Sequence, residues 1–373
     1  MIKKGMAFIF VIMLVVSFAG CAPEPEPTAP PNNEKPTPEP EEVFKWTVQG
    51  FTPSGTLFQD QCEEWASLVE ELSGGRIQMD VYPAGAIVPS LEGIYAVRDG
   101  VLDVHFGYSG MWIGYELAAP LFCSVPGLFG PHDMAMWLYH GGGLELWQEL
   151  MDPMNIKVIP AGTISMEIFM WAHEPLRSIE DFRGKTLRMM PLMGEILQEK
   201  GAEYDIAVVF LPAAEIIPSL ERKVIDAAEY STPAFDITLG FQDICQYYHY
   251  PGIHQPTGVF EVLINNDEWN KLPDDLKRIV EHACKLYFLT VWMEGDYLNV
   301  QVLEEFEKMG LEEVVLDDET IEIFMQWADE WFEEKVKEEP FLAKVRESQV
   351  EFAKWWYQYR DKAELPFPAW AFD

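Results

Sequence analysis

Basic residues are scarce in this chain. Its 373 residues include 26 Lys and Arg against 62 Asp and Glu, a formal net charge of −36. Nucleic-acid binding needs clustered Lys and Arg to meet phosphates, so this balance excludes it. An anionic small ligand is not excluded, because one buried Arg dominates a pocket locally. Cysteine is sparse too. Five Cys, with no Cys-x-x-Cys, are too few for a disulfide scaffold. Cys62, Cys123, Cys245 and Cys284 read as buried thiols, and one disulfide among them stays open. The seven His are scattered, and the seven-residue gap between His254 and Glu261 gives no zinc spacing. There is no Gly-x-Ser-x-Gly, His-Glu-x-x-His, Gly-x-x-x-x-Gly-Lys or Gly-x-Gly-x-x-Gly. His140-Gly141-Gly142-Gly143 matches a lipase oxyanion motif, but without a nucleophile elbow it reads as a helix start. Binding is therefore favoured over catalysis. Apolar material is plentiful: 49% hydrophobic and 13% aromatic residues exclude a disordered chain despite the charge. The length suits about two domains.

The amino terminus reads as an export signal. Lys3 and Lys4 precede an apolar run, Met6 to Ala19, that is short for a membrane-spanning helix. It ends Phe18-Ala19-Gly20-Cys21, which resembles a bacterial lipobox, with Phe18 where Leu is usual. The expectation is a signal peptide over 1–20 and a lipidated Cys21. The alternative is an ordinary signal with an incidental Cys. Residues 22–42 are rich in Pro, Glu and Thr and carry no apolar periodicity, so 21–42 reads as an extended tether. Both features place the protein outside the cytoplasm.

The body alternates strand and helix. Trp46 to Gln49 reads as a strand. Phe58, Cys62, Trp65, Val69 and Leu72 form one helical stripe, stopped by Ser73-Gly74-Gly75. Ile77, Met79 and Val81 alternate as a strand does. A helix over 89–99 and a strand over 102–106 follow. The rhythm resumes with strands at 156–159, 186–189, 206–210, 224–228 and 260–264, and helices at 196–200 and 213–222. It implies a parallel sheet flanked by helices. From Asp274 onward the pattern is mostly helical, and the last helix collects Phe352, Trp355, Trp356, Tyr357 and Tyr359. The Met- and Trp-rich stretch Met134 to Trp147 reads as core. An exported α/β body of this size suggests two lobes around a ligand cleft.

Residues 176–188, Leu-Arg-Ser-Ile-Glu-Asp-Phe-Arg-Gly-Lys-Thr-Leu-Arg, resemble the signature of TRAP transporter solute-binding proteins. Leu220 to Glu229 is similar to a second segment of that family, with Lys223 where Gly is usual. Ala96 to Asp103 repeats its logic earlier in the chain. The resemblance covers roughly residues 45–340. Tyr247 to Gly258 is similar to a stretch of the 2-oxo acid and lactate binding branch, with Ile253 replacing its Trp and Gln255 its Glu. The pocket Gln of that branch aligns with Glu167, so amide and carboxylate have changed places.

The resemblance implies a two-lobed periplasmic-binding-protein-like fold. Lobe I is expected over 43–162 and 252–295, and lobe II over 163–251 and 296–340. A C-terminal helix over 341–373 would serve as a dimerisation arm. It implies a receptor for a small organic acid that serves membrane subunits and carries out no chemistry. Arg188 offers a planar fork to a carboxylate at a strand end. Tyr108, Tyr230, Phe169 and Glu229 are the other expected ligand contacts, with Phe51 and Ser54 on the wall. His105 is not favoured. A carboxylate beside an organic anion needs a cation, a proton or an Arg partner. Two readings of Glu229 therefore stand. It either holds Ca²⁺, Na⁺ or Mg²⁺ with Glu167 and Gln255, or it is a structural partner of Arg188. No other cofactor is implied. The runners-up are a secreted hydrolase or lyase using Glu167 and Glu229, and the binding subunit of a sensor.

Overall fold

The computed structural model describes residues 42–363. Cys21, the signal segment and all but the last residue of the tether lie outside them. Four strands come first: β1 (Phe44–Gly50), β2 (Ile77–Tyr82), β3 (Val104–Gly107) and β4 (Ile156–Ile164). Next are β5 (Met170–Ala172), β6 (Thr186–Arg188), β7 (Ala207–Val209), β8 (Ala227–Ala228) and β9 (Tyr247–Tyr250). β10 (Gly258–Asn265) and β11 (Glu312–Val315) complete them. They form two sheets, in the orders β2-β1-β3-β10-β4 and β11-β9-β5-β8-β6-β7. The fold is two-lobed α/β, one sheet per lobe.

Both sheets are mixed, where the alternation implied parallel ones. β1 runs parallel to β2 and β3, but β10 is antiparallel to β3 and β4. β5 likewise opposes β8 and β9. The cause is the double crossing between lobes. β4 leaves lobe I at Ile164, and β10 returns at Gly258 directly opposite it. The strand expected over 224–228 shrinks to Ala227–Ala228, because Lys223 adopts the left-handed conformation (φ 56°) and turns the chain just before it. β5, β9 and β11 are three or four residues each, too short to show a period of two.

Helices cover the sheets. In lobe I lie α1 (Leu57–Leu72), α2 (Gly93–Arg98), α3 (Pro131–His140) and α4 (Gly143–Met151). α5 (Pro191–Lys200), α6 (Ala213–Glu221) and α7 (Pro233–Leu239) belong to lobe II. α8 (Asn266–Lys271), α9 (Asp274–Met309), α10 (Asp318–Lys335) and α11 (Pro340–Ala363) follow. Thr56 caps α1 by accepting from the Gln59 N–H, and Phe58, Cys62, Trp65 and Val69 bury its inner face. Leu72, the last position of the expected stripe, is exposed. α9 links the lobes: Cys284 accepts from the Trp65 indole in lobe I, and Phe306 meets Trp171 edge-on at 5.2 Å in lobe II. The expected division at 295/296 falls inside this one helix.

The aromatic end of α11 is divided between core and surface. Leu342, Val345, Phe352 and Trp356 are buried, at the three-to-four spacing of one helical face. The Trp356 indole donates to Asp133 of α3, and Gln349 donates to the Leu121 carbonyl. Trp355 and Tyr359 stay exposed, at 64% and 63%. The stretch from Met134 to Trp147 supplies core: Met134, Trp137 and Trp147 are fully buried, and Phe122 stacks on Trp147 at 5.3 Å. All four described cysteines are free and buried.

Glu261, in the middle of β10, is buried and accepts from the Ser109 N–H and the Trp112 indole. Burial outweighs those donors and pushes its carboxyl up to about 8. The folded state thus keeps a proton that the unfolded chain releases near pH 4.3. Stability is expected to fall as pH rises from about 4.3 to about 8, by on the order of a few kcal/mol. Urea midpoints across that range should decline less in Glu261→Gln than in the parent. Parallel curves would remove Glu261 as the cause.

Candidate functional site

The two crossing segments and the carboxyl ends of β6 and β8 converge between the lobes. The outward crossing carries Glu167 and the return crossing carries His254 and Gln255. The Glu167 N–H donates to the Gln255 carbonyl at 3.1 Å, which ties the segments together. Gly252 permits this approach, since a Cβ there would overlap the Glu167 backbone. β6 and β8 pair in parallel with Arg188 opposite Ala228, so Glu229 follows beside Arg188.

Arg188 Nη1 donates to Glu229 Oε1 at 2.6 Å and to the Glu229 carbonyl at 2.7 Å. Its Nε donates to the Leu211 carbonyl at 3.1 Å, and the Phe210 ring lies 5.1 Å from Cζ. Both side chains of the ion pair are almost fully buried, at 4% and 0% exposure. A direct Arg188–Glu229 pair is therefore present, one of the two readings left open above.

Behind it stand Glu167, His254, Gln255 and Tyr108. Gln255 Nε2 donates to Glu167 Oε1 at 2.7 Å and to the Tyr108 hydroxyl at 2.8 Å. Tyr108 in turn donates to Glu167 Oε1 at 3.3 Å. His254 Nε2 lies 3.5 Å from Glu167 Oε2 and 3.9 Å from Glu229 Oε2. Neither of those carboxylate oxygens has a hydrogen-bond partner, although both are buried. Glu167, Glu229 and His254 bring one ligand atom each within 4.8 Å of one another, a geometry that can hold a metal ion. Gln255 turns its amide N–H groups to Glu167 and Tyr108, so the third group facing the free oxygens is His254.

The electrostatics follow from burial and neighbours. Burial works against a charge on Glu229, but Arg188 and then His254 outweigh it and hold its carboxyl below the usual range. Glu167 lacks the direct Arg contact, and burial pushes it up to about 7. Burial opposes a proton on His254, and the two carboxylates overcome it, raising the imidazole to about 9. At neutral pH His254 and Arg188 thus offset the two glutamates, and a bound anion meets no net repulsion.

In front of this cluster a narrow cavity of about 30 Å³ is lined by Arg188, Tyr108 and Tyr230 together with apolar walls. Of the sequence-predicted contacts, Phe51 also lines it. Ser54 is exposed and outside that lining, where Thr52 is found instead. Glu229 stands behind Arg188. Phe169 is buried under His254, edge-on at 5.4 Å, and packs on Phe182 and Phe324 instead of lining the cavity. His105 is bound to the Gln49 carbonyl inside the sheet. Sequence reasoning missed His254, Phe58, Met111 and Phe210. His254 had a signal, since it sits in the quoted stretch beside Gln255. The other three are apolar residues whose wall position depends on lobe contact.

Two lobes, each presenting strand ends to a shared cleft that buries an arginine, define a solute-binding protein. The chain belongs to the family described as bacterial extracellular solute-binding protein, family 7, whose model matches residues 49–339. A monocarboxylate 2-oxoacid-binding periplasmic protein of Nostoc is 29% identical over 327 residues, 88% of this chain and 89% of that one. A TRAP transporter solute-binding protein from Bordetella bronchiseptica superposes with a TM-score of 0.82. It is 22% identical, over 86% of this chain and 95% of that one, and is a dimer with copurified calcium and picolinate in its bound site. A TRAP periplasmic protein from Pseudoalteromonas atlantica, with bound sodium and pyruvate, superposes at 0.81. It is 23% identical, over 86% of this chain and 97% of that one. This chain is thus a TRAP-type solute-binding receptor of the extracytoplasmic space.

Proposed function

We propose that the cleft captures a small monocarboxylate, a 2-oxo or 2-hydroxy acid, and that the loaded receptor delivers it to membrane subunits without chemical change. The observation that carries this is Arg188: buried on the cavity wall, with Nη1 on Glu229 and Nε on Leu211. Those bonds fix the guanidinium plane before ligand arrives, so little ordering is left to be lost on binding. Tyr108 and Tyr230 add hydroxyls at the same end. The 2-oxoacid-binding relative from Nostoc supports the ligand class. Native mass spectrometry of the purified receptor should find such an acid. Incubated with it, the protein should retain it stoichiometrically. Turnover would instead favour a hydrolase or lyase acting through Glu167 and Glu229.

A cation is part of this proposal. Glu167 Oε2 and Glu229 Oε2 are buried and free of hydrogen bonds, and hard cations take such oxygens. Ca²⁺, Na⁺ or Mg²⁺ held there would attract the ligand carboxylate. The bound calcium and sodium of the two relatives support it.

Lipidation at Cys21 belongs here as well. Mass spectrometry of native protein is expected to show an acylated amino terminus at Cys21. Cleavage elsewhere, or an unmodified Cys21, would overturn it. A homodimer is also proposed, through the exposed Trp355 and Tyr359 of α11. Truncating α11 would uncover Phe129 and Trp137, so substitution is the cleaner probe. Trp355→Glu with Tyr359→Glu should halve the mass seen by light scattering. An unchanged mass would remove this surface from the dimer.

A further inference from the structure

We infer that residues 364–373, the stretch of this chain beyond α11, fold back into a groove along the crossing segments and cover it. The groove is separate from the ligand cavity, and the inference does not depend on the carboxylate reading.

The groove holds about 470 Å³, against about 30 Å³ in the ligand cavity, and among the described residues the two share no lining. That is room for several side chains, within the ~300–1,000 Å³ of pockets that take up a ligand. Its apolar wall is Leu128, Pro131, Met166, Ile253, Pro256 and Trp292. Met166 and Ile253 directly precede Glu167 and His254, so the groove runs along the backbone that carries those two groups. The frame is already tied. The Gly127 N–H donates to the Ile253 carbonyl at 3.0 Å, and the Trp292 indole donates to the Ser165 hydroxyl at 3.1 Å. With its N–H committed, Trp292 offers the groove an apolar ring. Met166 is 40% exposed, although Glu167 beside it is fully buried. An apolar wall of this extent, open to water, marks a contact surface.

The course of α11 points to the occupant. Its last turns bring Arg360 to the groove wall, and the Tyr357 hydroxyl donates to the Leu128 carbonyl. The helix stops three residues after Arg360, at Ala363. The sequence continues Glu364-Leu365-Pro366-Phe367-Pro368-Ala369-Trp370-Ala371-Phe372-Asp373, outside the described residues. Eight of these ten residues are apolar, in contrast to the polar stretch at 22–42, and such a composition favours burial over solvation. Pro366 and Pro368 disfavour helix at Leu365 and Phe367 and favour an extended course. Four extended residues span at most about 14 Å, which keeps Phe367 within reach of the wall at Arg360. So short a tether gives this segment a high effective concentration over any free partner. The charges agree. Glu364 and Asp373 are the only charged residues of the segment. Asp133, the one acid among the described lining residues, is already engaged by the Trp356 indole at 2.8 Å and by Arg360 at 2.6 Å.

Hydrogen-exchange mass spectrometry tests this on the full chain, on Phe367→Asp with Trp370→Asp, and on a chain stopped after Ala363. Both altered chains are expected to exchange severalfold faster at 127–133, 165–168 and 253–256, with β6 and β8 at parent rates. Met166→Glu, a change on the groove side, should give the same pattern. A photo-crosslinking residue in place of Phe367 should join to Leu128, Met166 or Trp292 of its own copy. Mixing isotope-labelled with unlabelled chains tells one copy from another. Unchanged exchange in both altered chains, or crosslinks outside the groove, would overturn the proposal. Crosslinks joining labelled to unlabelled chains would overturn it in favour of a segment exchanged between subunits.

Discussion

Arg188→Ala is expected to weaken binding of the captured acid by about 30-fold to several thousandfold. That range is ~2–5 kcal/mol, the cost of truncating one partner of a buried, hydrogen-bonded charge pair. The loss has two sources. The ligand carboxylate loses a fork already aligned by the Glu229 and Leu211 carbonyls. Glu229 Oε1 also loses its 2.6 Å partner, leaving His254, 3.9 Å from the other oxygen, as the nearest positive group. The same change is expected to lower thermal stability, because an uncompensated buried carboxylate costs ~3–5 kcal/mol. Arg188→Lys separates the two effects. It keeps a positive charge near Glu229 but cannot reach all three of its acceptors, so stability should recover more than affinity. Calorimetry and thermal melts on both variants read this directly. A folded Arg188→Ala protein that binds the acid as the parent does would end the assignment.

Removing cations is expected to reduce acid affinity by two to three orders of magnitude at pH about 9, and by much less at pH about 6. At about 4 Å, two like charges repel by about 4 kcal/mol at an effective dielectric of 20. Glu167 and Glu229 both stand behind the ligand end of the cavity, and something positive must offset them. At pH 6 protons do so: His254 carries one, its imidazole raised to about 9 by those two carboxylates, and Glu167, pushed up to about 7 by burial, holds another. Above pH 9 both protons have left, and a cation on Glu167 Oε2 and Glu229 Oε2 is the remaining source of positive charge besides Arg188. The measurement is acid affinity before and after exhaustive chelation and desalting at the two pH values. Affinity that ignores cations at both, and rises as pH falls, would discard the metal and leave protons as the counter-charge beside Arg188. His254→Gln should then remove the upper part of the pH dependence, near pH 9, and leave the part set by Glu167.

Local features of the chain were legible where chemistry is local. The α1 stripe, its Thr56 cap and its Gly74-Gly75 stop depend on neighbours within four residues, and the helix forms where the pattern says. Arg188 and Glu229 were legible as strand-end residues, because a strand end needs only a short apolar run followed by a turn. The antiparallel course of β10 was not. It depends on the chain having crossed to another lobe and come back, which no period records. The same holds for α11: its aromatics announced a buried face, but only the packed structure sorts Phe352 and Trp356 onto α3 and α4 and leaves Trp355 and Tyr359 outside.

The sequence by itself determined the class of the molecule: the two α/β lobes, the family segments around Arg188 and Glu229, and a charge balance too poor in Lys and Arg for nucleic acid. Tertiary structure alone decided the site. It joined Glu167 to Gln255 and Tyr108 across more than fifty residues, and it set His254 between two carboxylates that lie 87 and 25 positions away along the chain. It also turned Phe169 from the expected wall into the packing beneath His254. The physical reason is that ion pairing and desolvation act through space over a few ångströms. Residue spacing along the chain carries that distance only within one helix or strand, and this site is assembled from two crossings and two strand ends.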